Sequence, residues 1–199
     1  MNNPKDQTLF DHLSDYIAIE QSAFEALKLR LNLKSLKKNQ FVYQCGDHNL
    51  PFVWIQSGYL MTYYTDFREV DHVMQIGSTN WWTGDINAIM KGVPTRYSTK
   101  ALTPCTYYEL SREDYESLLL EHPIFERYFR IIYQNSLISH QNRIINNISL
   151  NAGEKYEAFI KKFPKLELVV PQKYIASYLG ITPEFLSMIK SKRIKAARK

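Results

Sequence analysis

Two cysteines in 199 residues, Cys45 and Cys105, are too few for a disulfide framework or a metal site. An iron–sulfur centre, which needs about four thiolates, is excluded with them. Both are expected to be small buried hydrophobes in strands. The five histidines (His12, His48, His72, His122, His140) are scattered, with no pair at ligand spacing. An enzyme built on a cupin-like barrel would need a cluster of metal ligands on its strands. Neither that cluster nor a nucleophile–base motif is present, so no catalysis is expected. No run approaches the length of a membrane span. Met1–Gln7 is polar, without the apolar core of a signal peptide. These absences point to a cytoplasmic protein with no membrane partner and no cofactor.

What is present is ordinary globular composition, 45% hydrophobic and 23% charged, in a chain long enough for one large or two small domains. The net charge of +5 conceals an asymmetry. Residues 152–199 hold 11 Lys and Arg against 4 Asp and Glu, a net of +7, which leaves −2 for residues 1–151. A basic end of this kind suits phosphate neutralisation. The alternative for Lys190, Lys192, Arg193, Lys195, Arg198 and Lys199 is a solvated tail.

The basic end contains the most informative stretch, Gln172–Ser191. Ile175, Ala176 and Leu179 form one apolar face of a first helix. Gly180 can adopt the left-handed backbone of a sharp stop. Thr182 can cap a second helix whose first position is Pro183, where the missing N–H costs nothing. Phe185, Leu186 and Ile189 are expected as its apolar stripe, leaving Glu184, Ser187, Met188 and Ser191 opposite. This is the grammar of a helix-turn-helix, whose second helix enters the DNA major groove. Any αα-hairpin of a helical domain is the plainer reading.

The run from Pro171 to Ser187, Pro-Gln-x-x-Ile-Ala-x-Leu-Gly-Ile-Thr-Pro-Glu-x-Leu-Ser, resembles the DNA-binding end of the Crp/Fnr family of bacterial transcription regulators. It matches a form common in Bacteroidetes-like bacteria. The resemblance extends upstream. Short β-rich runs at Phe41–Gln44, Phe52–Gln56, Tyr59–Thr65, Val70–Ile76, Ser98–Leu102 and Thr106–Leu110 are separated by turn signals, indicating a small antiparallel sandwich or barrel. Gln44-Cys45-Gly46-Asp47 followed by Phe52–Gly58 resembles the first half of the family's cyclic-nucleotide-binding β-roll.

Around the strands lie helices. Leu9, Phe10, Leu13, Tyr16 and Ile17 recur at helical spacing; Ser22-x-x-Glu25 has the form of a capping box; Ser111-x-x-Asp114 opens another helix. A long run from Ile124 to about Leu150 lacks Gly and Pro. Within it Ile124, Tyr128, Ile131, Ile138 and Ile145, with Asn135 and Asn142 in the gaps, keep heptad spacing. That is expected to be a two-stranded dimer helix, with a buried helix of a monomer as the alternative. Asn151-Ala152-Gly153 is the expected hinge, Glu154–Phe163 a helix and Leu166–Val170 a short strand.

Regulators of this family bind a cyclic phosphate with a Gly-Glu-Leu turn opening a short helix and an Arg-Ser/Thr pair about ten residues later. Backbone N–H groups favour the anion, Glu holds the ribose and Arg neutralises the phosphate. The resemblance implies Gly84, Asp85, Ile86, Arg96 and Tyr97 as ligand-binding residues. The match is partial: Asp85 is a methylene shorter than Glu, and Arg96 fits only with a one-residue shift that puts Tyr97 beside it. A helix N-cap is the alternative for Gly84-Asp85, and an ion pair for Arg96. His140-Gln141-Asn142 lies about where the family places a Thr-Ser pair that reads the purine. Many relatives carry Arg-Glu-x-x-x-Arg on the recognition helix; only Glu184 is kept, with Pro183 and Met188 at the Arg positions.

The chain is therefore expected to be α+β: a β-roll (double-stranded β-helix) sensor over residues 1–122, a dimerisation helix over 123–150 and a winged helix-turn-helix over 151–199. Its expected partners are double-stranded DNA and a second copy, with RNA polymerase implied by the resemblance. Glu184, Ser187 and Ser191 would face base edges and Met188 a thymine methyl. Gln172, Lys173, Thr182, Lys190, Lys192 and Arg193 complete the DNA-binding set, the cations on phosphates. A small-molecule or nucleotide effector fits the sensor. A ligand-binding β-roll without sequence-specific DNA binding is the rival reading.

Overall fold

Two helices, α1 (Pro4–Ser14) and α2 (Gln21–Arg30), precede eight strands. These are β1 (Asn32–Leu36), β2 (Phe41–Tyr43), β3 (Phe52–Ser57), β4 (Leu60–Thr65), β5 (Asp71–Gly77), β6 (Trp81–Thr83), β7 (Ser98–Ala101) and β8 (Cys105–Leu110), with the short helix α3 (Ile86–Lys91) between β6 and β7. Helices α4 (Arg112–Glu121), α5 (Ile124–Ser149), α6 (Ala152–Lys162), α7 (Leu166–Val169), α8 (Gln172–Leu179) and α9 (Pro183–Ala197) follow. The computed structural model describes residues 4–197, with side chains over 8–193. Arg198, Lys199 and the side chain of Lys195 lie outside that range.

The strands form two four-stranded sheets, in the orders β1-β8-β3-β6 and β2-β7-β4-β5. Each sheet alternates strands from the two halves of the β region, which is jelly-roll connectivity and agrees with the β-roll expectation. Val53, Ile55, Leu60, Ala101, Cys105 and Tyr107 from both sheets share one core cluster. The hairpin turn at Gly58 requires glycine: a Cβ there would lie 2.5 Å from the Pro104 carbonyl, at φ +89°.

The chain divides into two compact units. One comprises the chain up to Thr62 with Ile76–Ser136; the other comprises Tyr63–Gln75 with everything from Leu137 on. The boundary runs through β4, β5 and α5, so each of these elements belongs to both. In the first unit, Leu9, Leu13, Phe24 and Leu27 of α1 and α2 pack with Trp54 of β3 and with Phe125, Tyr128 and Phe129 of α5. Trp82 Nε1 donates to the Tyr128 hydroxyl at 2.7 Å. In the second unit, Tyr156, Phe159, Phe163, Leu166, Ile175, Ala176, Leu179 and Leu186 are buried.

Several local expectations need correction. Cys45 is exposed in a turn, whereas Cys105 is buried in β8. The Ser22–Glu25 capping box does not form; α2 begins two residues earlier than that cap implies, with Glu20 at the N-cap and no side-chain cap bond. Gly153 lies inside α6, which Asn151 and Glu154 cap reciprocally, so only Leu150 and Asn151 interrupt the helices there. Leu166–Val170 is not a strand. Leu166 is fully buried and the segment coils into the turn α7. No strand occurs among the described residues beyond Asn151, so the expected wing has no counterpart there. Tyr128 is fully buried in the first unit's core rather than standing in a seam open to a second copy.

Candidate nucleic-acid interface and sensor cassette

The helix-turn-helix is built by the local signals at its turn. Gly180 takes φ +67°, and its N–H bonds back to the carbonyls of Ala176 and Ser177. The N–H of Ile181 returns to Ala176 at 3.0 Å. Together these satisfy carbonyls left open at the end of α8. Thr182 Oγ1 accepts the Phe185 N–H at 3.2 Å, capping α9, and Pro183 is its first residue. Gln172 Nε2 donates to the Pro183 carbonyl at 3.2 Å, joining the start of α8 to the start of α9. Leu186, fully buried, is the anchor between the two helices.

One face of α9 is open. Glu184, Phe185, Ser187, Met188, Ser191 and Lys192 are all exposed. Phe185 was expected inside, yet 47% of its surface is exposed, beside Met188 at 54%. The stripe that packs is Leu186 and Ile189. Phe185 is offset from Leu186 by one residue, about 100° round the helix. An aromatic at the start of an amphipathic helix carries no sequence mark distinguishing core from open face.

The cations divide between the two sides. Lys190 Nζ pairs with Glu167 at 2.9 Å, and Arg193 Nε with Glu157 at 3.0 Å. Burial alone would raise the Glu167 carboxyl, but the Tyr156 hydroxyl and Lys190 bonded to it hold it below the usual carboxylate range. These pairs brace α9 against α6 and α7. Lys173 and Lys192 are exposed.

The residues expected to bind a ligand also resolve into named contacts. Asp85 accepts the Ala88 N–H at 3.1 Å, capping α3, and its other oxygen accepts the Thr95 hydroxyl at 2.8 Å. Asp85 is 7% exposed and Thr95 2%. The N-cap alternative for Gly84-Asp85 is therefore what this carboxylate performs. Thr95 Oγ1 also accepts the Tyr97 N–H at 3.1 Å. Backbone pairs join Thr95 to Gly46 and Asp47 at 2.9 and 3.0 Å. Ile86 opens α3 and is exposed, as is Arg96; Tyr97 is half-buried. Gly84 is closely packed, since a Cβ there would lie 2.9 Å from Ile89.

In the sheet β2-β7-β4, the Thr99 and Thr62 hydroxyls bond at 2.7 Å in the buried interior, facing Tyr43. Burial first, and the nearby Asp85 charge in smaller part, push the Tyr43 phenol up to about 12. The side chains in this part of the roll are neutral hydroxyls, which hydrogen-bond but do not neutralise a phosphate. A cavity of about 280 Å³ behind α3 is lined by Asn32, Asn49, Glu109 and Glu113 among others, with Arg112 its one cation.

Among the described residues, no helix is long and apolar enough to cross a membrane, and no group of three or more His, Cys, Asp or Glu could hold a metal ion.

No family model and no curated protein matches the sequence. Solved structures do. The c-di-GMP-responsive global regulator CLP of Xanthomonas campestris superposes with a TM-score of 0.68 at 14% identity, over 89% of this chain and 93% of that one. FixK2 of Bradyrhizobium japonicum gives 0.74 at 14% identity, over 84% and 86%. The catabolite activator protein of Thermus thermophilus gives 0.56 at 12% identity, over 94% and 88%. At such identities the likeness establishes the fold, and that fold is the one seen in Crp/Fnr-family regulators.

Proposed function

We propose that the chain is a homodimeric, DNA-binding transcription regulator of the Crp/Fnr type, from the Bacteroidetes-like branch that the Pro171–Ser187 run resembles. The observation that carries this reading is the helix-turn-helix itself. A glycine turn at φ +67° and a threonine cap set α9 on α8 with its Glu184–Ser191 face open. In this reading Glu184, Ser187 and Ser191 meet base edges, with Glu184 suited to accept from cytosine. Phe185 and Met188 meet thymine methyls. Gln172, Lys173, Thr182 and Lys192 lie toward phosphates. Lys190 and Arg193 first orient α9 through Glu167 and Glu157, and reach phosphates only by leaving those carboxylates.

The partner is a second copy through α5. From Leu137 on, Leu137, Ile138, Ile144, Ile145 and Ile148 are exposed, Ile148 at 81%. They fall on one side of the helix, an apolar stripe as wide as a core-facing helix needs. Two-fold symmetry would give the two reading helices that paired half-sites require. RNA polymerase is the further partner the resemblance implies, and the cytoplasm the compartment. Asp85 is buried and has each carboxylate oxygen bonded within the chain, to Ala88 and Thr95, which favours an effector other than cyclic AMP, or none.

Selection of bound fragments from random duplex DNA, with and without nucleotides, tests the reading. A recovered motif with two half-sites about one helical turn apart supports it. Recovery of no motif, at any salt, would favour a β-roll module that does not read DNA. The ion pairs at Lys190 and Arg193 are the observation on that rival's side.

A further inference from the structure

The β4–β5 hairpin carries an edge strand, since β5 ends its sheet. An edge presents unpaired N–H and C=O groups, and proteins cover such edges. Here the cover comes from outside the sheet. Ser177 of α8 accepts the Val73 N–H at 2.9 Å and donates to the Asp71 carbonyl at 2.9 Å. Arg143 of α5 donates to the Val73 carbonyl at 2.9 Å and to the Met74 carbonyl. Its guanidinium also lies over the Tyr178 ring, 4.8 Å from the centroid. The side chains of two helices thus occupy the positions a neighbouring strand would take.

The face of α8 that does this is informative. Ile175, Ala176 and Leu179 point into the helix-turn-helix core, and Ser177 lies on the opposite side. The hairpin therefore holds α8 from behind. It touches none of Glu184, Phe185, Ser187, Met188 or Ser191 through the bonds described. The link between α5 and α6, Leu150 and Asn151, is short and has its own bonds: Asn151 and Glu154 cap α6 reciprocally, and Lys155 donates to the Asn147 carbonyl at 3.0 Å.

We propose that Ser177 and Arg143 form a latch by which the β4–β5 hairpin sets the orientation of the helix-turn-helix for DNA without a bound effector. The proposal rests on the DNA-binding reading above. The physical reason is pre-organisation: a dimer meets two half-sites only if both reading helices are held at the required spacing, and a swivelling α8 lowers the fraction of competent molecules. Losing the Ser177 hydroxyl removes two bonds between the β5 edge and α8, the helix that leads into the turn. Arg143 acts one step back, fixing the strand and the Tyr178 ring.

The test uses the full chain, without ligand, on a duplex recovered by selection. Ser177→Ala and Arg143→Met should each remain folded by circular dichroism, and each should speed hydrogen exchange at the Val73 amide. Affinity for the duplex should fall about tenfold or more, since each bond lost contributes at the level of a typical net hydrogen bond. Ser177→Thr, which keeps the hydroxyl, should retain most of it. Unchanged or tighter DNA binding by Ser177→Ala, with Val73 exchange accelerated, would overturn the latch as a positioning device. So would a Val73 amide that exchanges no faster in the variant. If wild-type protein binds no duplex at all, the DNA-binding reading fails first, and the two failures are told apart.

Discussion

Replacing Asp85 separates a structural role for this carboxylate from a ligand-binding one. The carboxylate caps α3 through the Ala88 N–H and accepts the Thr95 hydroxyl from a nearly fully buried site. Loss of an N-cap costs about 1 kcal/mol. Loss of a hydrogen bond to a charged acceptor costs about 1.5–3 kcal/mol, and the buried Thr95 hydroxyl keeps only a long contact to the Tyr97 carbonyl at 3.5 Å. Asp85→Ala should thus destabilise the protein by about 2–4 kcal/mol, read as a lower urea midpoint at constant slope. Asp85→Glu tests the opposite idea, since Glu is what a cyclic-nucleotide site would carry. The extra methylene enters a packed site, where overpacking costs about 1–3 kcal/mol, so it should also destabilise. Neither variant should change the calorimetric response to cyclic AMP, which should be no tighter than high micromolar in wild type. The reasoning fails if Asp85→Ala unfolds at the wild-type urea concentration. It fails equally if Asp85→Glu gains sub-micromolar cyclic AMP binding at no cost in stability.

The remaining predictions concern the other surfaces. Ile138→Asp or Ile145→Asp should give monomers in sedimentation with an unchanged circular dichroism spectrum. Both residues are more than half exposed in the single chain, at 52% and 58%, and a two-fold interface loses each contact twice; a variant that stays dimeric moves the interface elsewhere. Lys192→Ala should flatten the salt dependence of DNA binding by ~0.9 of a log unit per log unit of salt, and Lys190→Ala by clearly less, because Lys190 is paired with Glu167. Equal slopes for the two would refute that division. His12, whose Nε2 has no hydrogen-bond partner among the described residues, has its imidazolium disfavoured by burial, against a smaller opposing effect of Asp15. Its folded pKa lies below the unfolded value, so the unfolded chain takes up the proton first. Stability is full above about pH 6.5 and falls as pH drops below it. His12→Phe should flatten that part of the urea-midpoint profile.

What was legible in the sequence is what single residues decide by their own backbone chemistry. Gly180, Thr182 and Pro183 each restrict φ or supply a cap, and the turn they imply is the turn observed. Strands Phe52–Ser57 and Cys105–Leu110 were readable because they are long and dense in β-formers. The strands missed, Asn32–Leu36 and Trp81–Thr83, owe their existence to partners far along the chain. Asn32 pairs with Glu109 and Trp82 with Trp54. Propensity also misled where burial overruled it, as in the β-branched end of Leu166–Val170. Heptad spacing in α5 was real, but a period does not say what covers the stripe. Tyr128 is covered by the chain's own core, whereas Ile138 stays 52% exposed in the single chain.

The charge of the C-terminal part shows the same limit at the candidate site. A net of +7 was legible, yet sequence position cannot tell a cation that faces DNA from one that braces a helix. Lys190 and Arg193 lie three apart on α9 and turn toward Glu167 and Glu157, while Lys192 between them turns out. Two of the charges nearest the open face of α9 are therefore already engaged within the chain. The open face itself holds one acid, two serines, a phenylalanine and a methionine, with Lys192 at its edge. Such a face gains little from bidentate guanine contacts and more from apolar contact with thymine methyls, with Glu184 fixing register on cytosine. The recovered operator should accordingly be rich in A·T pairs around one C·G pair in each half-site. A half-site dominated by consecutive guanines would mean that Lys190 and Arg193 abandon Glu167 and Glu157 on DNA. Replacing those two carboxylates by Gln would then tighten binding rather than loosen the helix.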